Sequence, residues 1–264
     1  LLALNEDTME FVTLGFPGPV MHTEAMVRFF DNATREFYLR RIYSPSSWCN
    51  FNALLADAHN AYKFGDPDNE CEPGQARYFA MMHADVIPEK WWIDTLIREM
   101  KAKNTSFCSA LIAIKDCRGE PSGGIGEPGR QFEPRWRFTF KELADMPDTF
   151  TAEEIGHGDG YLLHNNGLIV ADLSDERFLI TDDDGYLVPF FDFPRKVFSK
   201  DGRWIVTGES EDWYFSRMLH KVGIPSCVTK KVPILHEGRM LFPNWGKWGE
   251  AHDPDYYGQR AEKA

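Results

Sequence analysis

Cysteine is scarce and unpatterned: five residues, at 49, 71, 108, 117 and 227, form an odd number without CxxC spacing. They supply neither a disulfide framework nor a structural zinc site, and read as reduced, mostly buried thiols of a cytoplasmic protein. No stretch approaches ~18 consecutive apolar residues, so no membrane-spanning helix is expected, and no signal peptide is evident. Positive charge is also short, with 29 Lys and Arg against 41 Asp and Glu and a net charge of −12. That balance excludes nucleic acid as a bulk partner, because a phosphate backbone requires a basic surface. A nucleotide remains possible, since it needs only a local pocket and can recruit a cation. Internal repeats, low-complexity tracts and linkers are absent, so residues 1–264 are expected to form one domain.

What the chain does have is core. Hydrophobic residues make up 43% of it, with 20 Phe and 8 Trp among 264 residues, enough for one large α/β domain. Residues 11–16 read as a strand ending in Gly15-Phe16-Pro17-Gly18, followed by a helix over 20–32 and a strand over 36–43. A helix over 51–64, opened by Asn52 or its neighbours, and a polar loop over 65–74 lead to the next strand. Ile93, Leu96, Ile97 and Met100 then make the apolar stripe of a helix packed on a sheet, and 107–114 is another strand. This alternation predicts an α/β fold with a mostly parallel central sheet and helices on both faces. The span 115–160 is rich in Gly, Pro and charge. Its Gly123-Gly124-Ile125-Gly126 cluster reads as a mobile surface loop, since no strand feeds it and no Lys-Ser/Thr follows. Residues 161–170 read as a further strand. Asp182-Asp183-Asp184-Gly185 lacks the spaced ligands of a calcium loop and reads as a solvated turn.

The hydrophobic run Tyr78-Phe79-Ala80-Met81-Met82 stops abruptly at His83-Ala84-Asp85. On an extended backbone, residues 83 and 85 leave the same face. An imidazole and a carboxylate together at the C-terminal end of a central strand can hold a divalent metal, at the edge where open α/β sheets bind ligands. The plainer reading of HxD is a polar turn before the next helix.

A second constellation is Thr207-Gly208-Glu209-Ser210-Glu211-Asp212. Ser210 is a good N-cap, Phe215, Met218, Leu219 and Val222 form the helical stripe, and Gly223 ends it. Acidic residues in a first helical turn are expected from the helix dipole alone. Three carboxylates within four residues exceed what that explanation needs. One held there by backbone geometry suits a general base taking a proton from a hydroxyl. A strand over 225–235 then runs into His236, which can be a structural histidine or a neutral imidazole ligand beside Asp85.

In this order and spacing, the two segments resemble the GT-A glycosyltransferases, particularly the family 2-like group, over about residues 10–240. His83-Ala84-Asp85 stands where that family has its DxD motif, and Glu211-Asp212, Gly223 and His236 match its later acidic helix, glycine and histidine. Asn50-Phe51-Asn52-Ala53 and Asn165-Asn166-Gly167-Leu168-Ile169 match its helix before the DxD strand and its acceptor-side strand. His83 replaces the first Asp, and Thr13-Leu14-Gly15-Phe16-Pro17-Gly18 departs from the family's first strand.

The resemblance implies a GT-A nucleotide-diphospho-sugar transferase fold, with a nucleotide-binding half at about 10–115, an acceptor half at about 116–240 and a tail or lid at 241–264. It implies a donor of UDP or GDP type, a glycan or other hydroxyl acceptor, and a divalent ion, Mn2+ or Mg2+, bridging the donor phosphates. Asp85 and His236 would be its ligands, with His83 a third ligand or a donor contact. Asn52, Phe16 and Pro17 would touch the donor. Asp212, with Glu211 next, would be the general base for attack at the anomeric carbon, with inversion; retaining chemistry stays open. Trp136, Trp204, Trp213, Trp245 and Trp248 are available to stack on sugar rings. Two alternatives stand beside this reading: a degenerate scaffold that binds a nucleotide or glycan, and a nucleotide-sugar hydrolase.

Overall fold

The computed structural model describes residues 12–17, 25, 27–28, 37–42, 47–116, 118–131, 134–238 and 241–246. The helix expected over 20–32 lies largely outside these residues, as do Cys117, Trp248 and most of the 241–264 tail. In chain order the strands begin with β1 (Val12–Pro17), β2 (Phe37–Ile42), β3 (Tyr78–Met82), β4 (Val86–Pro88) and β5 (Phe107–Ala110). The middle contributes β6 (Gly124–Gly126), β7 (Trp136–Arg137), β8 (Thr149–Phe150), β9 (Tyr161–Leu163) and β10 (Leu168–Asp172). The last five are β11 (Arg195–Lys200), β12 (Arg203–Gly208), β13 (Ser226–Thr229), β14 (Ile234–Glu237) and β15 (Leu241–Pro243). Four helices accompany them among the described residues: α1 (Ser47–Phe64), α2 (Trp92–Ala102), α3 (Phe140–Leu143) and α4 (Glu211–Val222).

A seven-stranded sheet in the order β2-β1-β3-β10-β5-β13-β8 forms the centre. Strands β2, β1, β3, β5 and β13 run one way, while β10 and β8 run against their neighbours. The architecture is therefore mixed α/β, and the sheet is antiparallel at two strands where alternation alone predicted parallel pairing. Period-2 alternation divides β3 between two cores. Tyr78, Ala80 and Met82 face Trp92, Ile93, Leu96, Ile97 and Met100 of α2. Phe79 and Met81 face Phe51, Leu54 and Ala58 of α1 and Phe215, Met218 and Leu219 of α4. Continuous burial of all five β3 residues is what a strand covered on both faces requires.

Several boundaries differ from expectation for visible reasons. Helix α1 starts at Ser47, earlier than Asn52. Residues 86–88, after His83-Ala84-Asp85, form the short strand β4, which pairs with β14 before α2 begins at Trp92. The segment 161–170 is two strands separated by a turn, and 225–235 is likewise divided between β13 and β14. The glycine cluster at 123–126 is a buried strand and not a mobile loop, because its glycines admit close neighbours. A Cβ at Gly124 would lie 2.4 Å from the Trp136 carbonyl oxygen, and one at Gly126 would meet the Tyr161 ring at 2.4 Å. The acidic turn at 182–185 is exposed, as expected.

Strands β11 and β12 pair along their whole length, Arg195 with Gly208 through to Lys200 with Arg203. Asp201 and Gly202 turn the corner at φ of 52° and 72°, the paired left-handed conformation of a tight hairpin. The ribbon stands clear of the body, with Val197, Trp204 and Val206 exposed by 64, 78 and 64%. At its root, the Glu209 amide donates to the Pro194 carbonyl at 3.0 Å.

One buried side chain fixes the small sheet β15-β14-β4 to the body. Asn244 donates through Nδ2 to the Leu111 and Val232 carbonyls, each at 2.8 Å, and accepts from the Ile234 amide at 2.8 Å. It holds β14, and with it His236, over the end of β5. Asn244→Ala leaves three enclosed backbone groups unpaired and is expected to cost about 2–4 kcal/mol, measured by urea denaturation.

Candidate functional site

The site is assembled where β3 ends. The His83 amide donates to the Gly167 carbonyl at 2.9 Å, joining that end to the turn between β9 and β10. In the turn, Asn165 Oδ1 accepts from the Gly167 amide at 2.8 Å, an Asx-type bond that tightens the reversal. A Cβ at Gly167 would fall 2.7 Å from Asn165 Oδ1 and 2.8 Å from Ile112 Cδ1, so the turn excludes a side chain there.

Asp212 meets the same turn from the other side. Ser210 caps α4 by accepting from the Trp213 amide, which places Asp212 in the first helical turn. Its carboxylate accepts from Asn165 Nδ2 at 3.2 Å and from the Asn166 amide at 3.1 Å. Asp212 keeps some solvent exposure, yet the protein around its carboxyl raises its pKa to about 7. Burial is the main cause, followed by the charge of Glu211, while the hydrogen bond from the Asn166 amide and the charge of Arg137 pull the other way. Arg137 lies over the Trp213 ring, 5.4 Å from its centroid. The third carboxylate of this group, Glu209, is buried and held by Arg217 at 3.1 and 2.6 Å. Only Glu211 and Asp212 remain as base candidates, and Asp212 is the one tied to the turn.

Asp85 and His236 come together across β4 and β14. The Glu237 amide donates to the Asp85 carbonyl at 2.8 Å, and Asp85 Oδ1 lies 3.6 Å from His236 Nε2. His236 Nδ1 is 2.6 Å from the Ala113 carbonyl and donates to it, which fixes the orientation of the ring with Nε2 toward Asp85. Lys115 Nζ donates to the other carboxylate oxygen, Oδ2. Burial opposes ionisation of Asp85, but His236 and Lys115 outweigh it and hold the carboxyl well below the usual range. His83 stacks on Phe51, with centroids 5.2 Å apart, and its Nε2 is buried without a hydrogen-bond partner. Its pKa falls to about 4: burial dominates, Asp85 opposes it, and His236 and Lys115 reinforce it. The ring is therefore neutral at pH 7.

Among the described residues no group of three or more His, Cys, Asp or Glu side chains is placed to hold a metal ion. The expected trio reduces to a pair, Asp85 and His236, with the orphaned Nε2 of His83 nearby. One carboxylate and one imidazole are too few donors for a closed metal site; with water and substrate phosphate completing the shell they would suit Mn2+ better than Mg2+, which takes oxygen donors.

The other expected contacts are placed differently. The Phe16 ring is buried in the core beside β3, and Pro17 is half-buried at the strand end. Asn52 donates to the Phe191 carbonyl at 2.7 Å and accepts from its amide at 3.1 Å, so it fastens the 190–191 segment to α1. Trp136 packs edge-on against Phe138, and Trp204 sits on the exposed ribbon. Trp245, half exposed, lines a cleft of about 420 Å³ with Ile87, Pro88, Leu235 and Leu241. That cleft lies on the face of β14 opposite His236, since Leu235 and Glu237 alternate with it. Lys115 and Arg137 carried no signal in the sequence. The Asn-Asn-Gly turn did, as a breaker between two apolar runs.

No family model and no curated protein matches the chain. Among solved structures, the crystal structure of A197 from STIV superposes with a TM-score of 0.49 at 10% identity, covering 92% of this chain and 96% of that one. No helix among the described residues is long and apolar enough to cross a membrane.

The raised pKa of Asp212 has a measurable consequence. Between pH 4 and 7 the folded protein keeps a proton that the unfolded chain has released, so this group makes stability fall as pH rises. Asp212→Asn removes that slope. Its melting temperature relative to the parent is expected to climb from pH 4 to pH 8, read by thermal denaturation across that range.

Proposed function

We propose that this chain is a glycosyltransferase of GT-A type that moves a sugar from a UDP- or GDP-type donor to an acceptor hydroxyl, with inversion at the anomeric carbon. The observation that carries the reading is Asp212: a carboxylate with near-neutral proton affinity, held by Asn165 and Asn166 on the turn that also ends at His83. A general base works best with a pKa near the operating pH, and this one sits at about 7. It would take the proton from the acceptor hydroxyl as the oxygen attacks. Arg137, beside Trp213, offsets the charge of the ionised base.

The donor diphosphate would lie at the other end of the site, against Asp85 and His236. A divalent ion held by that pair would offset the charge on the departing nucleoside diphosphate. His236 is oriented for this by the Ala113 carbonyl. The neutral His83 ring, with Nε2 lacking a partner, offers one further polar contact.

The test has two parts. Thermal stabilisation by a panel of nucleoside diphosphates, with and without Mn2+, is expected to give a shift of several degrees with one base and the ion present. Asp212→Asn is then expected to keep that shift and lose transfer by about 10²–10⁴-fold. Absence of a shift with every nucleotide, with or without Mn2+, sinks the reading. Release of free sugar with no acceptor present redirects it to hydrolysis.

A further inference from the structure

Lys115 is unassigned by anything in the transferase scheme, yet it occupies the centre of the proposed donor end. It arises from the segment after β5, and its Nζ pairs with Asp85 Oδ2. Its aliphatic stem lies along Gly238, where an added Cβ would come within 3.1 Å of Lys115 Cδ and 3.4 Å of its Cβ and Cγ. Glycine at 238 thus leaves a track for the stem directly after β14, two residues from His236. Both partners remain about one-third exposed, at 35 and 33%, so the ammonium is free to leave without breaking core packing.

The charges around Asp85 set the terms on which a cation can enter. Asp85 offers one carboxylate, and its two oxygens face an ammonium and an imidazole nitrogen. A divalent ion taking Asp85 and His236 would stand within a few ångströms of Lys115 Nζ, and two cations at that range repel. The ammonium must then move. A nucleoside diphosphate bound with the ion would offer the displaced ammonium a new anion. A lysine suits this transfer, being a point charge with three donors on a flexible stem.

We infer that Lys115 is a diphosphate-binding residue held on Asp85 in the free protein, where it stands in for the divalent ion until a nucleoside diphosphate arrives. The inference rests on the transferase reading and assigns to its donor site a residue with two alternative partners. Ion alone must displace an existing ion pair. Ion together with diphosphate gives the displaced ammonium a new partner, so the two ligands bind with positive coupling, each strengthening the other equally.

Titration calorimetry on Lys115→Met separates the two partners, using Mn2+ alone and then UDP or GDP in saturating Mn2+. With the competing ammonium gone, Mn2+ alone is expected to bind about two- to fivefold tighter, the weight of one partly exposed ion pair. The nucleoside diphosphate is expected to bind about tenfold weaker, for loss of one charge-assisted contact to phosphate. Lys115→Arg is expected to restore most of the nucleotide affinity. Opposite signs in a single variant cannot come from general loosening of the fold. If Lys115→Met weakens both ligands or alters neither, Lys115 is an ordinary surface partner of Asp85 and the inference is overturned, while the transferase reading stands on the wild-type titration. If the wild-type chain binds neither Mn2+ nor any nucleoside diphosphate, the transferase reading falls and this assignment falls with it.

Discussion

The carboxylate of Asp212 hydrogen-bonded to the turn at 165–167 is the contact that ties helix α4 to the end of β3. Asp212 belongs to helix α4, His83 to the end of β3, and the two elements are 129 positions apart in the chain. The turn joins them through the Asn166 amide and Asn165 side chain on one side and the Gly167 carbonyl on the other. Antiparallel insertion of β10 between β3 and β5 is what brings the turn there. A strictly parallel sheet would have carried the same residues to the opposite edge. The antiparallel strand therefore decides which residues meet at this edge.

Electrostatics divides the site into two ends with opposite demands. At Asp85, the neighbouring His236 and Lys115 stabilise the ionised form, so a fixed negative charge is available to a cation. At Asp212, burial and Glu211 favour the protonated form, so the group can exchange a proton near neutral pH. The two carboxyls thus differ in proton affinity because their surroundings push them in opposite directions. The acidic balance of the chain makes the few cations near these groups, Lys115 and Arg137, count for more than their number suggests.

The sequence disclosed the parts of this arrangement that depend on local pattern. The stripe of α2, the Ser210 cap, the Gly223 stop at φ 75° and the buried run of β3 follow from spacing and backbone preference. Asp85, His236 and Asp212 drew attention in the sequence because each stands at a sharp change from apolar run to polar terminus, and the structure places Asp85 beside His236 and Asp212 against the 165–167 turn. Partners set by tertiary contact were not legible. Nothing in the sequence distinguishes Lys115 from other surface lysines, or shows that Asn52 fastens Phe191 and Glu209 pairs with Arg217. The glycines at 123–126 misled because a close approach between strands and a flexible loop draw on the same residue.

The ribbon formed by β11 and β12 has a further consequence for how this chain tolerates change. Pro194 and Glu209 meet through a backbone hydrogen bond, so the fourteen intervening residues, 195–208, leave the body and return to nearly the same point. Such an excursion contributes little to the core, and its closure cost changes only slowly with length. The ribbon can be lengthened, trimmed or replaced while α4 keeps its starting position. The segment is in that sense a graft point, where one folded frame can be fitted with different outer attachments without redrawing the interior.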